Sequence, residues 1–411
     1  MLSSTFPYPP SLGGTEMRTF HLARHLGQHH PVTLVTQASP TVSAVDQAQL
    51  GKVVAQLVVF PMPLVSYQSG RGWHKLRRYV HSAWLGTPVN VLHRFHPDLA
   101  SWVEAQVQQQ AFDVVTCEHG VNAVYVPRRE DWPIPAVLNA HSFGSGWLRN
   151  QLAMGASEHP WRDRLTLPIV ERYERRFARQ FVHAVVTTET DRQQGCALCS
   201  ELPISVVPNG VDLSLFPRRS HDVEEPRLVF VGAMDADHNV DAMSWFVAEV
   251  WPELRSRFSH LELTIVGDRP TSRIQALAQQ PGIRVTGRVP LIVDELHHAM
   301  ACILPLRTGF GIKNKTLEAL AAGVPVIGSD RALEGLPVDG PHPLAALRAN
   351  TQQDYLHAIA MVFSDRSLRQ QLSQQGRSLI EQQYTWQQAG QAYEQVLEHA
   401  IRAFHQDSSK I

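Results

Sequence analysis

Pro305-Leu-Arg-Thr-Gly-Phe-Gly-Ile-Lys-Asn-Lys-Thr-Leu-Glu-Ala-Leu-Ala-Ala-Gly-Val-Pro-Val-Ile-Gly-Ser329 reads as strand, glycine loop, helix, strand. Gly309 and Gly311 let the backbone approach a ligand closely. Lys313 and Lys315 place positive charge where the helix begins, and Glu318 follows within its first turns. Lysines beside a helix N-terminus favour a phosphate group. A carboxylate one turn further along suits a sugar diol. The stretch therefore predicts a nucleotide diphosphate site.

The surrounding sequence repeats the pattern. Short β-rich runs at 227–232, 261–267, 283–287, 301–305 and 324–328 mostly end in glycine. Helical segments near 239–258, 271–280, 291–300 and 314–322 separate them. Strands alternating with helices predict a doubly wound parallel sheet, whose ligands bind beyond the carboxyl ends of the strands. The glycines at 232, 267, 287, 309, 311 and 328 then converge on one crevice. Upstream, runs at 32–36, 57–60, 112–116, 136–139 and 184–188 read as strands. Helices near 15–27, 91–109 and 160–181 lie between them. Pro208-Asn-Gly-Val-Asp212 reads as a hinge between the halves. The part from about 364 to 406 is helical and rich in Gln. Thr385 and Gln388 have capping-box spacing before the last helix.

Composition sets limits. The 411 residues suit two domains, and 44% apolar with 18% charged residues suits a globular chain. A net charge of −1 gives no overall field for nucleic acid. The 21 histidines are scattered, with His29-His30 and His297-His298 read as surface residues. Cys117 and Cys302 sit in apolar runs. Cys196 and Cys199 have CxxC spacing but no second ligand pair for zinc. The expectation is a reduced, cytoplasmic chain, with no signal peptide and no run long enough to span a bilayer.

Leu12-Gly-Gly-Thr-Glu16, Pro208–Asp212 and Gly309–Glu318 together resemble the retaining glycosyltransferases of family 4, whose fold is GT-B. Phe230-Val-Gly-Ala-Met-Asp235, with Asn239-Val-Asp-Ala242 and Trp245-Phe246, resembles a bacterial branch that builds exopolysaccharides and other surface glycans. The resemblance covers nearly the whole chain. It implies two Rossmann-like domains facing a central cleft. An acceptor domain would span 1–208 and a donor domain 209–385. A helix over 386–411 would cross back to the first. Against the family pattern, Met1–Thr5 leaves room for only the end of a first strand.

The resemblance also implies roles. The substrate is a nucleotide sugar, UDP- or GDP-linked, and no cofactor is expected. Gly13, Gly14, Gly232, Gly309, Phe310, Gly311, Ile312, Lys313, Lys315 and Glu318 would hold the donor, with Arg288 and Arg307 as helpers. Lys313, nearer the loop, is favoured for the leaving diphosphate, and Glu318 for the ribose. His141 takes the place of the family histidine near the reacting sugar. Glu16, Arg18, Glu118 and His119 would line the acceptor side, where a glycan or lipid-linked acceptor binds. Thr308 stands where many members carry a sugar-reading glutamate. The segment Ala233–His238 lacks the Arg and Lys common there. A front-face reaction is the expectation, in which the departing phosphate takes the acceptor proton. No Asp-x-Asp cluster stands at a suitable strand end, so no metal is expected.

Arg71–Trp84 is basic and aromatic. It reads either as an ordinary amphipathic helix or as peripheral contact with the inner face of a plasma membrane. A sugar-nucleotide epimerase and a non-catalytic glycan- or nucleotide-binding protein of the same fold remain the alternatives.

Overall fold

The computed structural model describes residues 1–63, 80–155, 157, 159–309 and 311–408. Phe310 and most of Arg71–Trp84 lie outside them. The chain divides into two compact units. The first comprises Met1–Pro208 with Ala389–Ile411, and the second Asn209–Gln388.

The first unit is built on a seven-stranded sheet. Its strands are β1 (Leu2–Ser3), β2 (Thr33–Ala38), β3 (Gln56–Pro61), β4 (Val115–Glu118), β5 (Ala136–His141), β6 (His183–Val186) and β7 (Ile204–Val206). All pairs are parallel, in the order β3-β2-β1-β4-β5-β6-β7. The winding direction reverses between β1 and β4. Central strands read as unbroken apolar runs because helices cover both faces. Val137, Leu138, Ala184, Val185 and Val186 are accordingly fully buried.

The second unit repeats the design with six parallel strands. They are β8 (Arg227–Val231), β9 (Glu262–Val266), β10 (Ile283–Gly287), β11 (Ala301–Leu304), β12 (Val326–Gly328) and β13 (Leu347–Arg348). Their order is β10-β9-β8-β11-β12-β13, with the reversal between β8 and β11.

Four helices position the side chains of the candidate sites. They are α1 (Gly14–His29), α2 (Pro160–Ala178), α3 (Asn314–Ala321) and α4 (Trp386–Ser408). Helix α3 buries Leu317, Leu320 and Ala321 at three- and four-residue spacing. That choice of face leaves Lys315 and Glu318 together on the other side. Thr385 and Gln388 form the reciprocal capping box before α4. The Gln388 amide donates to Thr385 Oγ1 at 3.2 Å, and the Thr385 amide donates to Gln388 Oε1 at 3.0 Å.

The structure corrects several element boundaries. The helix expected over 91–109 is two, Val89–Arg94 and Pro97–Gln108. Pro97 lacks an amide hydrogen and starts a new helix instead of continuing the old one. The strand expected at 112–116 lies at Val115–Glu118, which makes Glu118 its last residue. β7 and β13 have short, partly exposed runs and gave no clear signal.

Pro208–Asp212 gains its meaning from packing. A Cβ on Gly210 would lie 2.2 Å from the Trp386 nitrogen. The segment therefore runs directly against Thr385–Trp386, and Val211 pairs with Thr385.

Candidate functional site

In an open parallel sheet, ligands bind where the winding reverses, beyond the strand ends. Each unit gathers ionisable side chains at such a point.

In the second unit, β8 ends at Val231 and Gly232 follows. A Cβ there would meet Lys315 Nζ at 2.6 Å and Asn239 Nδ2 at 2.7 Å, so glycine leaves the space these groups occupy. Lys315 Nζ donates to Asn239 Oδ1 and lies 4.8 Å from the centre of the Phe230 ring. Asn239 in turn donates to the Ala233 carbonyl at 2.8 Å. Burial pushes Lys315 down to about 7, and Lys313 adds to the shift. Burial likewise pushes Glu318 up to about 7, against the pull of Lys315.

Lys313 caps α3 and is buried. Its ammonium donates to the Gly311 carbonyl and lies 3.7 Å from Glu334 Oε2. Gly309 and Gly311 take φ of 116° and 66°, left-handed values that suit glycine. Ile312 enters the core and anchors the loop beneath the helix. Thr308 is 1% exposed, so the position where a sugar-reading carboxylate was sought is inside the fold.

Two helper residues stand elsewhere. Arg307 is paired with Asp241, its Nε donating at 2.9 Å. Arg288 is exposed after β10, an edge strand two places from β8, and makes none of these contacts. Sequence reasoning missed His238, which burial lowers to about 3, with Lys315 and Lys313 adding repulsion. It stands six residues after Gly232, and that position beyond a strand end was the available signal. It also missed the buried Glu334.

In the first unit, β4 ends in Glu118 and β5 in His141. A register shift between Asn139 and His141 redirects the end of β5. His119 and His141 both have positive φ, 66° and 60°. Strained non-glycine conformations cost about 1–3 kcal/mol each and gather at functional sites. The two rings lie 3.8 Å apart between centroids. His141 Nε2 is 3.3 Å from Glu118 Oε2, and His119 Nε2 is 2.9 Å from Thr15 Oγ1.

A buried network holds this pair. Asn139 Nδ2 donates to Glu118 Oε2 at 2.8 Å, and Arg18 Nε donates to Asn139 Oδ1 at 3.1 Å. Burial keeps both imidazoles well below their usual pKa; His141 lowers His119 further, and Arg18 lowers His141. Burial raises the Glu118 carboxyl, opposed by Arg18 and His119. The imidazoles are thus neutral at pH 7.

Arg18 is 0% exposed and sits beneath the site, so its place is in the supporting network, not the wall. The wall belongs to a cavity of about 760 Å³ lined by Thr15, Glu16, Arg94, Glu118, His119 and Tyr173 among others. Gly13 caps α1, and a Cβ there would meet Glu16 Oε2 at 2.6 Å; Gly14 opens the helix. Sequence reading gave no role to Asn139, which lies in no motif, or to Thr15, which stands within the Leu12–Glu16 motif.

Two doubly wound parallel sheets, each with its polar groups at the switch point, define a GT-B protein. The fold matches sucrose-phosphate synthase from Thermosynechococcus elongatus at 17% identity, over 98% of both chains, with a TM-score of 0.70. It matches Anabaena HepE in complex with UDP at 12% identity, over 97% of this chain and 98% of the other, with a TM-score of 0.65. Residues 12–215 match the model of Glycosyltransferase Family 4, and residues 225–365 that of Glycosyl transferases group 1. The chain belongs to the family 4 glycosyltransferases of GT-B fold. It is 21% identical over 220 residues to the lipopolysaccharide 1,2-N-acetylglucosaminetransferase of Salmonella typhimurium. That match takes in 48% of this chain and 56% of the relative's length.

Proposed function

We propose that this chain transfers a sugar, with retention of configuration, from a UDP- or GDP-sugar to a glycan or lipid-linked acceptor in the making of a cell-surface polysaccharide. The observation that carries the reading is the grouping of Lys313, Lys315 and Glu318 on the first turns of α3, at the switch point of the second sheet. Charge growing on a departing diphosphate needs fixed cations at close range. Lys313 and the amides that open α3 supply them, and Lys315 adds charge once protonated. Glu318 accepts from ribose hydroxyls.

His141 and His119 face neutral hydroxyl groups. A neutral imidazole can donate to one hydroxyl and accept from another without adding charge. His141 serves the reacting sugar, and the cavity beside His119 receives the acceptor. The departing phosphate takes the acceptor proton, and the transfer itself needs no metal. Among the described residues, no helix is long and apolar enough to cross a membrane. A lipid-linked acceptor would then be met from the membrane surface. The names of two similar proteins support the class of substrate: HepE was solved with UDP-glucose, and the Salmonella relative is an N-acetylglucosaminetransferase.

A donor screen tests the proposal. UDP-, GDP-, ADP- and dTDP-sugars are titrated, and slow hydrolysis is followed in parallel. The expected result is millimolar or tighter binding of one nucleotide class, with hydrolysis that keeps the anomeric configuration. Absence of binding by all four overturns it.

A further inference from the structure

The far end of α1 carries a second cluster. His25 and His29 are four residues apart, which places them on one face of the helix. Glu394 of α4 lies between them. His25 Nε2 is 3.1 Å from Glu394 Oε2, and His29 Nδ1 is 3.2 Å from the same oxygen. One nitrogen from each imidazole and one carboxylate oxygen all lie within 4.8 Å of one another. His30 Nε2 meets the other carboxylate oxygen at 2.6 Å.

The packing is specific to this approach. A Cβ on Gly390, one turn before Glu394, would lie 2.2 Å from His25 Cγ. The glycine lets the imidazole ring lie against the backbone of α4. Tyr393, adjacent to Glu394, is 0% exposed and fixes the rotation of α4. The His25 and Glu394 side chains are 8% and 17% exposed, and His29 is 49% exposed. The cluster is anchored on one side and open to solvent on the other.

We propose that His25, His29 and Glu394 bind a divalent transition-metal ion of the zinc class, which fastens α4 to α1. Bonds of about 2.0–2.1 Å to nitrogen in a tetrahedral site give ligand–ligand edges of about 3.3 Å. The two nitrogen–oxygen separations already approach that length. Two imidazoles and a carboxylate select zinc over magnesium or calcium, which prefer oxygen. Three protein ligands leave a fourth position for water on the exposed His29 side. His30 holds the second carboxylate oxygen and so orients the ligand. The residues lie apart in sequence from Lys313, Lys315 and Glu318, and the ion has a structural role, outside the transfer chemistry.

Zinc titration of the chelator-stripped full chain provides the test, with calorimetry and thermal melts as readouts. One Zn²⁺ per chain is expected, with a rise in Tm as zinc is added. His29→Ala removes an exposed ligand without opening the core. It should weaken zinc by more than the roughly 10- to 100-fold typical of losing an outer partner. His30→Ala should fall within that range. A Cys196→Ser, Cys199→Ser double variant should bind as the parent does. The proposal is overturned by an unchanged Tm, by parental affinity in His29→Ala, or by loss of binding in the cysteine variant.

Discussion

At the switch point of the first sheet the ionisable groups are Glu118, His119 and His141, resting on Arg18 and Asn139. At that of the second they are Lys313, Lys315, His238 and Glu318. Both sets lie buried or half-buried beyond strand ends of the same winding order. In the first, burial strips charge from the imidazoles, and the cation beneath them, Arg18, points into the protein. In the second, two lysines crowd one helix start, and their field helps to drive His238 to about 3. One backbone frame thus presents a neutral hydrogen-bonding surface and, separately, a cationic one. The fold places the groups, and local partners decide their charge.

The sharpest way to break this comparison is at Arg18. Lowered by burial to about 10, its guanidinium stays charged at neutral pH. Arg18→Met leaves Asn139 and Glu118 without their buried partner. Removing one member of a buried charged network costs about 3–5 kcal/mol. Denaturant unfolding should show a loss near the lower figure, because Arg18 bonds the neutral Asn139 directly. A change under about 1 kcal/mol, the scale of a surface pair, would show that Arg18 is not a support of the site.

The next effects separate the two surfaces by function. His141→Ala should slow transfer about 100-fold, the scale for losing one fixed transition-state contact. Its affinity for the nucleoside diphosphate should stay at the parental value. Equal loss of both would mean that the substitution damages the fold. Lys313→Ala should do the reverse. A hydrogen bond to a charged group is worth about 1.5–3 kcal/mol, so diphosphate binding should weaken about tenfold or more. Parental diphosphate affinity in this variant would remove Lys313 from the assignment.

The two surfaces were unequally legible in sequence. The lysine surface lies within one continuous stretch, 305–329, where the helical period alone places Lys315 and Glu318 on one face. The histidine surface is assembled from α1, β4 and β5, and its contacts span up to 121 residues. Sequence could mark Glu118, His119 and His141 as strand-end residues. It could not show that Asn139 and Arg18 hold them, because no local pattern encodes a partner so far away. His238 was missed for a related reason. Its repulsion by Lys315 and Lys313 exists only once β8 and β11 lie side by side. Similarly, His29 read only as a surface histidine, because nothing local shows that α4 brings Glu394 between it and His25.

The smallest expected effect is also the most specific. Lys315 has been pushed down to about 7 and Glu318 up to about 7, both chiefly by burial. A bound diphosphate favours the protonated lysine, so binding draws in a proton. Affinity for the nucleoside diphosphate should therefore rise severalfold as pH falls from well above 7 to 7. Glu318 works in the opposite direction. Its carboxylate accepts hydrogen bonds from ribose better once its proton is lost. Binding of the bare nucleoside should then strengthen as pH rises through 7. Lys315→Met should flatten the diphosphate slope and leave the nucleoside slope in place. If both ligands follow the same pH trend, Lys315 and Glu318 do not divide the nucleotide between phosphate and sugar. In that case the cationic surface acts through Lys313 and the helix amides alone.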